Sequence, residues 1–111
     1  MWYQKKGNKY GAKKSEFQGR SYMSKKEAQY AQELEFRKLA KEIKKITPQH
    51  RLSLDVNGYH IANYYIDFLI EMKDGSKELH EVKGFATEVW RLKWKLCEAL
   101  YGDKYRMVLI K

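Results

Sequence analysis

The sequence predicts a single α/β domain in which a helix, three antiparallel strands, a second helix and a last strand form a mixed sheet flanked by helices. Three observations carry this order, α-β-β-β-α-β. Residues 25–46 are rich in Ala, Glu, Gln, Leu and Lys and contain neither Gly nor Pro, as a helix requires. Asn57-Gly58 stands between an alternating run and an aromatic, β-branched one, the strongest short-range sign of a hairpin. Apolar residues at helical spacing from Thr87 to about Tyr101 lie between two short strand-like runs, the pattern of a crossover that sets its two strands parallel.

Residues 1–22 read as a basic arm ahead of a domain at 23–111. Lys5, Lys6, Lys9, Lys13, Lys14 and Arg20 face one acid, Glu16, while Gly7, Gly11 and Gly19 interrupt any periodicity. Tyr3, Tyr10 and Phe17 between the cations suit phosphate neutralisation with base or sugar stacking, so the arm is expected to bind DNA. Ser24-x-x-Glu27 has the form of a capping box, and the first helix is expected to run from 25 to about 46. Its stripes Tyr30/Ala31/Leu34 and Phe36/Leu39/Ala40/Ile43 lie on different sides, so it bends near Glu35 or buries two faces. Pro48 marks its end.

Residues 51–56 and 59–72 then form the hairpin, Lys73-Asp74-Gly75-Ser76 a second turn, and 78–83 a third strand closed by Gly84. On the second helix Val89, Leu92, Leu96 and Leu100 are expected to meet the sheet. Trp90, Trp94, Cys97 and Tyr101 form a second stripe for core packing or a dimer interface. The last strand is expected at 105–110.

Lys and Arg number 23 against 14 Asp and Glu, a net charge of +9, which points to a polyanionic partner and first to nucleic acid. No stretch of about 18 apolar residues offers a membrane span. The single cysteine, Cys97, excludes an intramolecular disulfide and a cysteine-based zinc site and fits a reducing cytoplasm. His50, His60 and His80 lack ligand spacing, which speaks against a zinc enzyme.

The chemistry is concentrated in Tyr65-Ile66-Asp67-Phe68 and Glu81-Val82-Lys83. Strand alternation puts Glu81 and Lys83 on one face. A turn centred near Gly75 brings Asp67 opposite Glu81. Two carboxylates can hold a divalent cation, Mg²⁺ or Mn²⁺, against a phosphodiester. Lys83 would orient or deprotonate a water, or balance developing negative charge. Lys93, between Val89, Leu92, Leu96 and Leu100 on the second helix, either reaches a phosphate or a carboxylate or snorkels to solvent.

The run IDF…ELHEVKG resembles the PD-(D/E)XK nuclease motif, with Ile66 in the place of the usual proline. The order of elements resembles that superfamily's core. KYGAKKSEFQGRSYMSKKEA, with the VKG and the lysine-rich helix after it, is similar to a family of small phage-encoded proteins described as uncharacterised or as candidate Holliday-junction resolvases. The resemblance covers nearly the whole chain. It implies a metal-dependent DNA endonuclease with Asp67, Glu81 and Lys83 as catalytic core and Asp67 and Glu81 as metal ligands. It also implies that Glu27, on the first helix, either joins the active site or only caps the helix.

A small core with little room for base-reading elements favours recognition of branched DNA, and a homodimer would suit paired nicks in a junction during phage recombination or replication. Location is expected in the cytoplasm, that of a host cell if the chain is phage-encoded. The alternatives are a nicking, flap or transposase-type end-cleaving nuclease, a non-catalytic nucleic-acid-binding module on the same fold, or a structural phage protein.

Overall fold

The computed structural model describes Ser15–Phe17, Arg20–Tyr22 and residues 24–111. The two short segments are strands β1 (Ser15–Phe17) and β2 (Arg20–Tyr22), paired antiparallel. Part of the segment read as an arm is therefore a strand pair. Lys5, Lys6, Lys9, Lys13 and Lys14 lie outside the described residues.

Helix α1 (Lys25–Leu39) starts at Ser24, whose extended backbone turns its Oγ toward the Glu27 N–H at 3.0 Å. That bond satisfies one of the donors left open at a helix start. Ala28, Ala31 and Leu34 bury the inner stripe. The helix is about two turns shorter than its composition suggests. Ala40 caps it through a bond to the Phe36 carbonyl, Lys41 turns left-handed at φ 67, and Ile43 already belongs to a strand.

The second stripe is therefore not a helix face: Phe36 and Leu39 are 62% and 76% exposed. Ile43 instead packs with Phe68 and Ile70 in the core, and Ile46 joins it from the side. Tertiary burial of β-branched residues outweighs a helix propensity worth only tenths of a kcal/mol per residue.

Strand β3 (Ile43–Val56) and strand β4 (Tyr59–Met72) make one long hairpin. Asn57 and Gly58, at φ 52 and 84, have the two positive angles of a type I′ turn, the form matched to strand twist. Pro48 lies inside β3 rather than ending a helix. It is tolerated because β3 is an edge strand, where a missing N–H breaks no second ladder. Strand β5 (Lys77–Val82) returns antiparallel after a turn held by Asp74 and by Gly75 at φ 91. Helix α2 (Glu88–Tyr101), capped by Thr87 Oγ1, leads to strand β6 (Arg106–Ile110), which pairs parallel to β5 as expected of a crossover.

Among the described residues the result is a four-stranded mixed sheet in the order β3-β4-β5-β6 with two helices. Each helix organises a core cluster. Ala28, Ala31 and Leu34 of α1 pack on Ile43, Phe68 and Ile70. Trp94 and Cys97 of α2 pack on Leu52, Leu54, Tyr64, Ile66 and Leu79.

Of the aliphatic residues expected to meet the sheet only Leu96 packs against the core, and the second stripe takes the core-packing role, not that of a dimer interface. Val89 and Leu92 are 66% and 70% exposed and Leu100 is also exposed, while the Trp90/Trp94/Cys97/Tyr101 stripe turns inward. The aromatic stripe buries more apolar surface than the aliphatic one. It also brings its polar tips to partners: Trp90 Nε1 donates to Tyr64 Oη at 3.0 Å and Tyr101 Oη to the Ser53 carbonyl at 2.7 Å.

Candidate active site

The alternate residues of β4 change allegiance at one point. Tyr64 and Ile66 pack with α2, whereas Phe68 and Ile70 pack with α1. Asp67 stands at the changeover. Toward β5, Phe68 pairs with His80, so Asp67 falls opposite Glu81 one step farther from the turn. There side chains replace the ladder: the Asp67 N–H donates to Glu81 Oε1 at 3.1 Å and the Val82 N–H to Asp67 Oδ2 at 2.8 Å.

Toward β3, Pro48 pairs with Phe68 and His50 with Ile66, and Gln49 between them is left-handed at φ 52. A non-glycine residue in that region costs on the order of 1 kcal/mol and persists where its surroundings fix it. Gln49 Nε2 lies 3.2 Å from Glu27 Oε2 and 3.3 Å from Asp67 Oδ1, bridging the two acids. Glu27 is thus buried at the site as well as supplying the N–H that Ser24 caps.

Lys83 reaches back to the pair, its Nζ 3.8 Å from Glu81 Oε2 and 5.0 Å from the centre of the Trp90 ring. Trp90 Nε1 also donates to Glu81 Oε2 at 3.2 Å. Glu27, Gln49, Asp67, Glu81, Lys83 and Lys93 all line one cavity of about 550 Å³. His80 points away, as alternation requires, into a buried contact with Tyr30 and Glu78.

Two acids buried side by side hold their protons more firmly than free ones. Burial raises the Asp67 pKa, partly offset by the Val82 N–H and the Lys83 charge. Burial and then the Asp67 charge push Glu81 up to about 7, against the pull of Lys83. A divalent cation would relieve both effects, and the donors suit one. Mg²⁺ is commonly held by one or two carboxylates and keeps several waters. Asp67 Oδ1 is met by Gln49, and Glu81 Oε2 by Trp90 and the Lys83 ammonium, side chains that could yield these oxygens to a metal. Among the described residues no three His, Cys, Asp or Glu side chains form a ready metal cluster, so the fit is to a two-carboxylate site completed by water.

The family described as "Protein of unknown function (DUF1064)" matches residues 7–111. The chain belongs to DUF1064. No curated protein and no solved structure matches it. The DUF1064 match begins within the segment read as a basic arm and runs through every residue of the candidate site, so strand pair, sheet and cavity fall within one family region.

Of the residues singled out in the sequence, Asp67, Glu81, Lys83, Glu27 and Lys93 come together at this cavity. Arg20 lies in β2. The sequence does not single out Gln49 or Tyr64, and it gives Trp90 as a core or dimer residue, not as a neighbour of Glu81. Trp90 is the third residue after the Thr87 cap, and a helix entered directly after Lys83 must set its first turn beside Glu81, which is the signal that could have identified it. Gln49 carried no such signal, because its place depends on a strand that the composition conceals as helix.

Proposed function

We propose that the protein is a divalent-metal-dependent DNA endonuclease of the PD-(D/E)XK type. The observation that carries this reading is the pairing of Asp67 with Glu81 across β4 and β5, both with raised pKa, beside a lysine two residues on, just past the end of β5. A structural ion pair would place a cation within a normal hydrogen bond of each acid. Here Lys83 is 3.8 Å from one acid and faces an aromatic ring.

Asp67 and Glu81 would hold Mg²⁺ or Mn²⁺, which supplies Lewis acidity toward a phosphate oxygen and an acidified water. Lys83 would balance negative charge on the phosphorane or guide the attacking water. Glu27 and Gln49 would fix the Asp67 carboxylate, and Lys93 would meet the substrate phosphate across the cavity. The net charge of +9 supports DNA as the polyanion. Among the described residues no helix is long and apolar enough to cross a membrane.

Branched DNA, a four-way junction first, is the proposed substrate. A homodimer is the proposed assembly, and the cytoplasm of a phage-infected host the proposed setting. The exposed Val89, Leu92 and Leu100 of α2 offer the dimer surface, in place of the tryptophan stripe that the core takes up. Incubating the protein with labelled four-way junction, flap and linear duplex, with and without Mg²⁺, tests the reading. Metal-dependent cleavage of the junction is expected. Binding of all three without cleavage under any divalent metal would favour the second reading, a nucleic-acid-binding module on the same fold.

A further inference from the structure

A second cavity, of about 340 Å³, adjoins the first. Lys83, Gly84, Phe85 and Trp90 line both. The wall between them is the segment that leaves β5, anchored where the Lys83 N–H donates to the Ile110 carbonyl at 2.9 Å.

The two cavities differ in charge. The first contains the carboxylates Glu27, Asp67 and Glu81. Among the described residues, the second is lined by Lys83, Arg91 and Lys111 and by no acidic side chain, together with the apolar Phe85, Ala86 and Leu109. Phe85, at the shared rim, is 82% exposed. A bare aromatic ring beside cations marks a contact surface more than a packing residue. A methyl group on Gly84 would meet nothing within 4 Å, so neither crowding nor backbone conformation demands glycine there.

With Lys83 shared with the Glu81 carboxylate, Arg91 and Lys111 are the two cations that call for an anion here, and an exposed ring calls for a flat π-face. Together these are the parts of a nucleotide. We infer that the second cavity is a subsite for an unpaired nucleotide of the DNA, its base stacked on Phe85 and its phosphate held by Arg91 and Lys111. The strand would cross Gly84 to set the adjoining phosphodiester at Asp67 and Glu81. The inference rests on the nuclease reading and adds the substrate class: DNA with at least one unstacked base beside the cleaved bond. A volume near the lower end of small-ligand pockets, roughly 300–1,000 Å³, suits one nucleotide. Seating a second copy of this chain there across a two-fold axis would bring like cations together.

The test is fluorescence anisotropy of the full chain at one fixed salt concentration with Ca²⁺ in place of Mg²⁺. The probes are an intact duplex and the same duplex carrying a one-nucleotide gap. Phe85→Ala is expected to weaken gapped-duplex binding by on the order of tenfold, as for loss of one base–aromatic stack, with intact duplex held within about twofold. Phe85→Trp should restore the preference, and Arg91→Ala should lower the salt slope on gapped DNA by about 0.7–0.9. Since Phe85 is exposed, an unchanged melting temperature is expected for its variants. Equal losses on both probes, no loss on either, or no restoration by tryptophan would overturn the subsite. So would a wild-type dimer in sedimentation that Phe85→Ala dissociates, because the patch would then be a protein interface. Cleavage of DNA by wild type in Mg²⁺ tests the nuclease reading separately. Absent cleavage with an intact Phe85 preference would reject hydrolysis alone, and cleavage without that preference would reject the subsite alone.

Discussion

Asp67 and Glu81 hold one another through the backbone: the Asp67 N–H donates to the Glu81 carboxylate at 3.1 Å, and Asp67 in turn accepts from the N–H of Val82, the next residue on Glu81's strand. One oxygen of each acid is committed to the sheet. The other is met by side chains, Asp67 Oδ1 by Gln49 and Glu81 Oε2 by Trp90 and Lys83.

Removing either charge while keeping the shape should therefore stop catalysis without unfolding the site. Asp67→Asn and Glu81→Gln are expected to abolish metal-dependent cleavage while DNA binding stays within about fivefold, since the basic surface is untouched. Gel assays of cleavage and anisotropy for binding check this, and full activity in either variant would remove the catalytic assignment.

Lys83→Ala should slow the chemical step by on the order of 10²-fold with metal affinity largely kept, as for a charge-stabilising or proton-transfer group. Single-turnover rates at saturating Mg²⁺ are the measurement. A rate within threefold of wild type rejects the role.

Proton uptake at Glu81 gives a pH signature. Its folded pKa is raised from 4.5 to about 7, so the stability it contributes is full below its unfolded pKa and is lost as pH rises through about 7. The melting temperature of metal-free protein should accordingly fall between about pH 5 and pH 8, with a smaller fall in Glu81→Gln. Added Mg²⁺ should raise it more at about pH 8 than at about pH 6, because the carboxylates must shed protons to bind metal. Scanning calorimetry with and without metal reads both effects, and a flat wild-type profile would contradict the raised pKa.

Deleting residues 1–14 should weaken binding to every DNA form and lower the slope of log affinity against log salt by roughly 0.9 per lost phosphate contact on duplex. An unchanged slope would mean that Lys5, Lys6, Lys9, Lys13 and Lys14 do not touch the backbone.

Replacing Leu92, exposed on α2, by Lys should dissociate the proposed dimer at micromolar concentration and reduce any preference for four-way junction over duplex, with little effect on folding. Sedimentation and competition binding at fixed salt check this. A wild-type monomer with equal affinity for both DNAs would discard junction resolution.

What the sequence made legible follows from how local each feature is. The Asn57-Gly58 turn, the alternation that sets Glu81 and Lys83 on one face, and the length of the turn between Asp67 and Glu81 are decided within one hairpin, so spacing was enough. The crossover through α2 was legible because parallel pairing needs such a connection. The end of α1 was not, because Glu, Lys and Ile at 42–46 suit either state, and only the pocket between Phe68 and Ile70 decides for strand. The inward face of α2 failed for a related reason. Aliphatic spacing was a fair guide to a buried stripe, but Trp90 had a hydrogen-bonding partner and Trp94 an edge-on ring partner in Tyr64 of the sheet that one helix cannot reveal. Gln49 depended on the first of these errors, since it sits in a strand where the composition suggests helix.

The long outer margin of β3 carries a further consequence. A fourteen-residue strand at the rim of a sheet is a template on which another chain could grow, and such rims are where domain swapping and fibril growth begin. Pro48 withholds a donor at mid-strand, the left-handed Gln49 disrupts the regular run of backbone groups, and Lys44 and Lys45 place like charges along the same margin. The distortion that delivers Gln49 to the acids thus also guards solubility. Straightening it by Pro48→Val would remove a safeguard against self-templating as well as a support of the site.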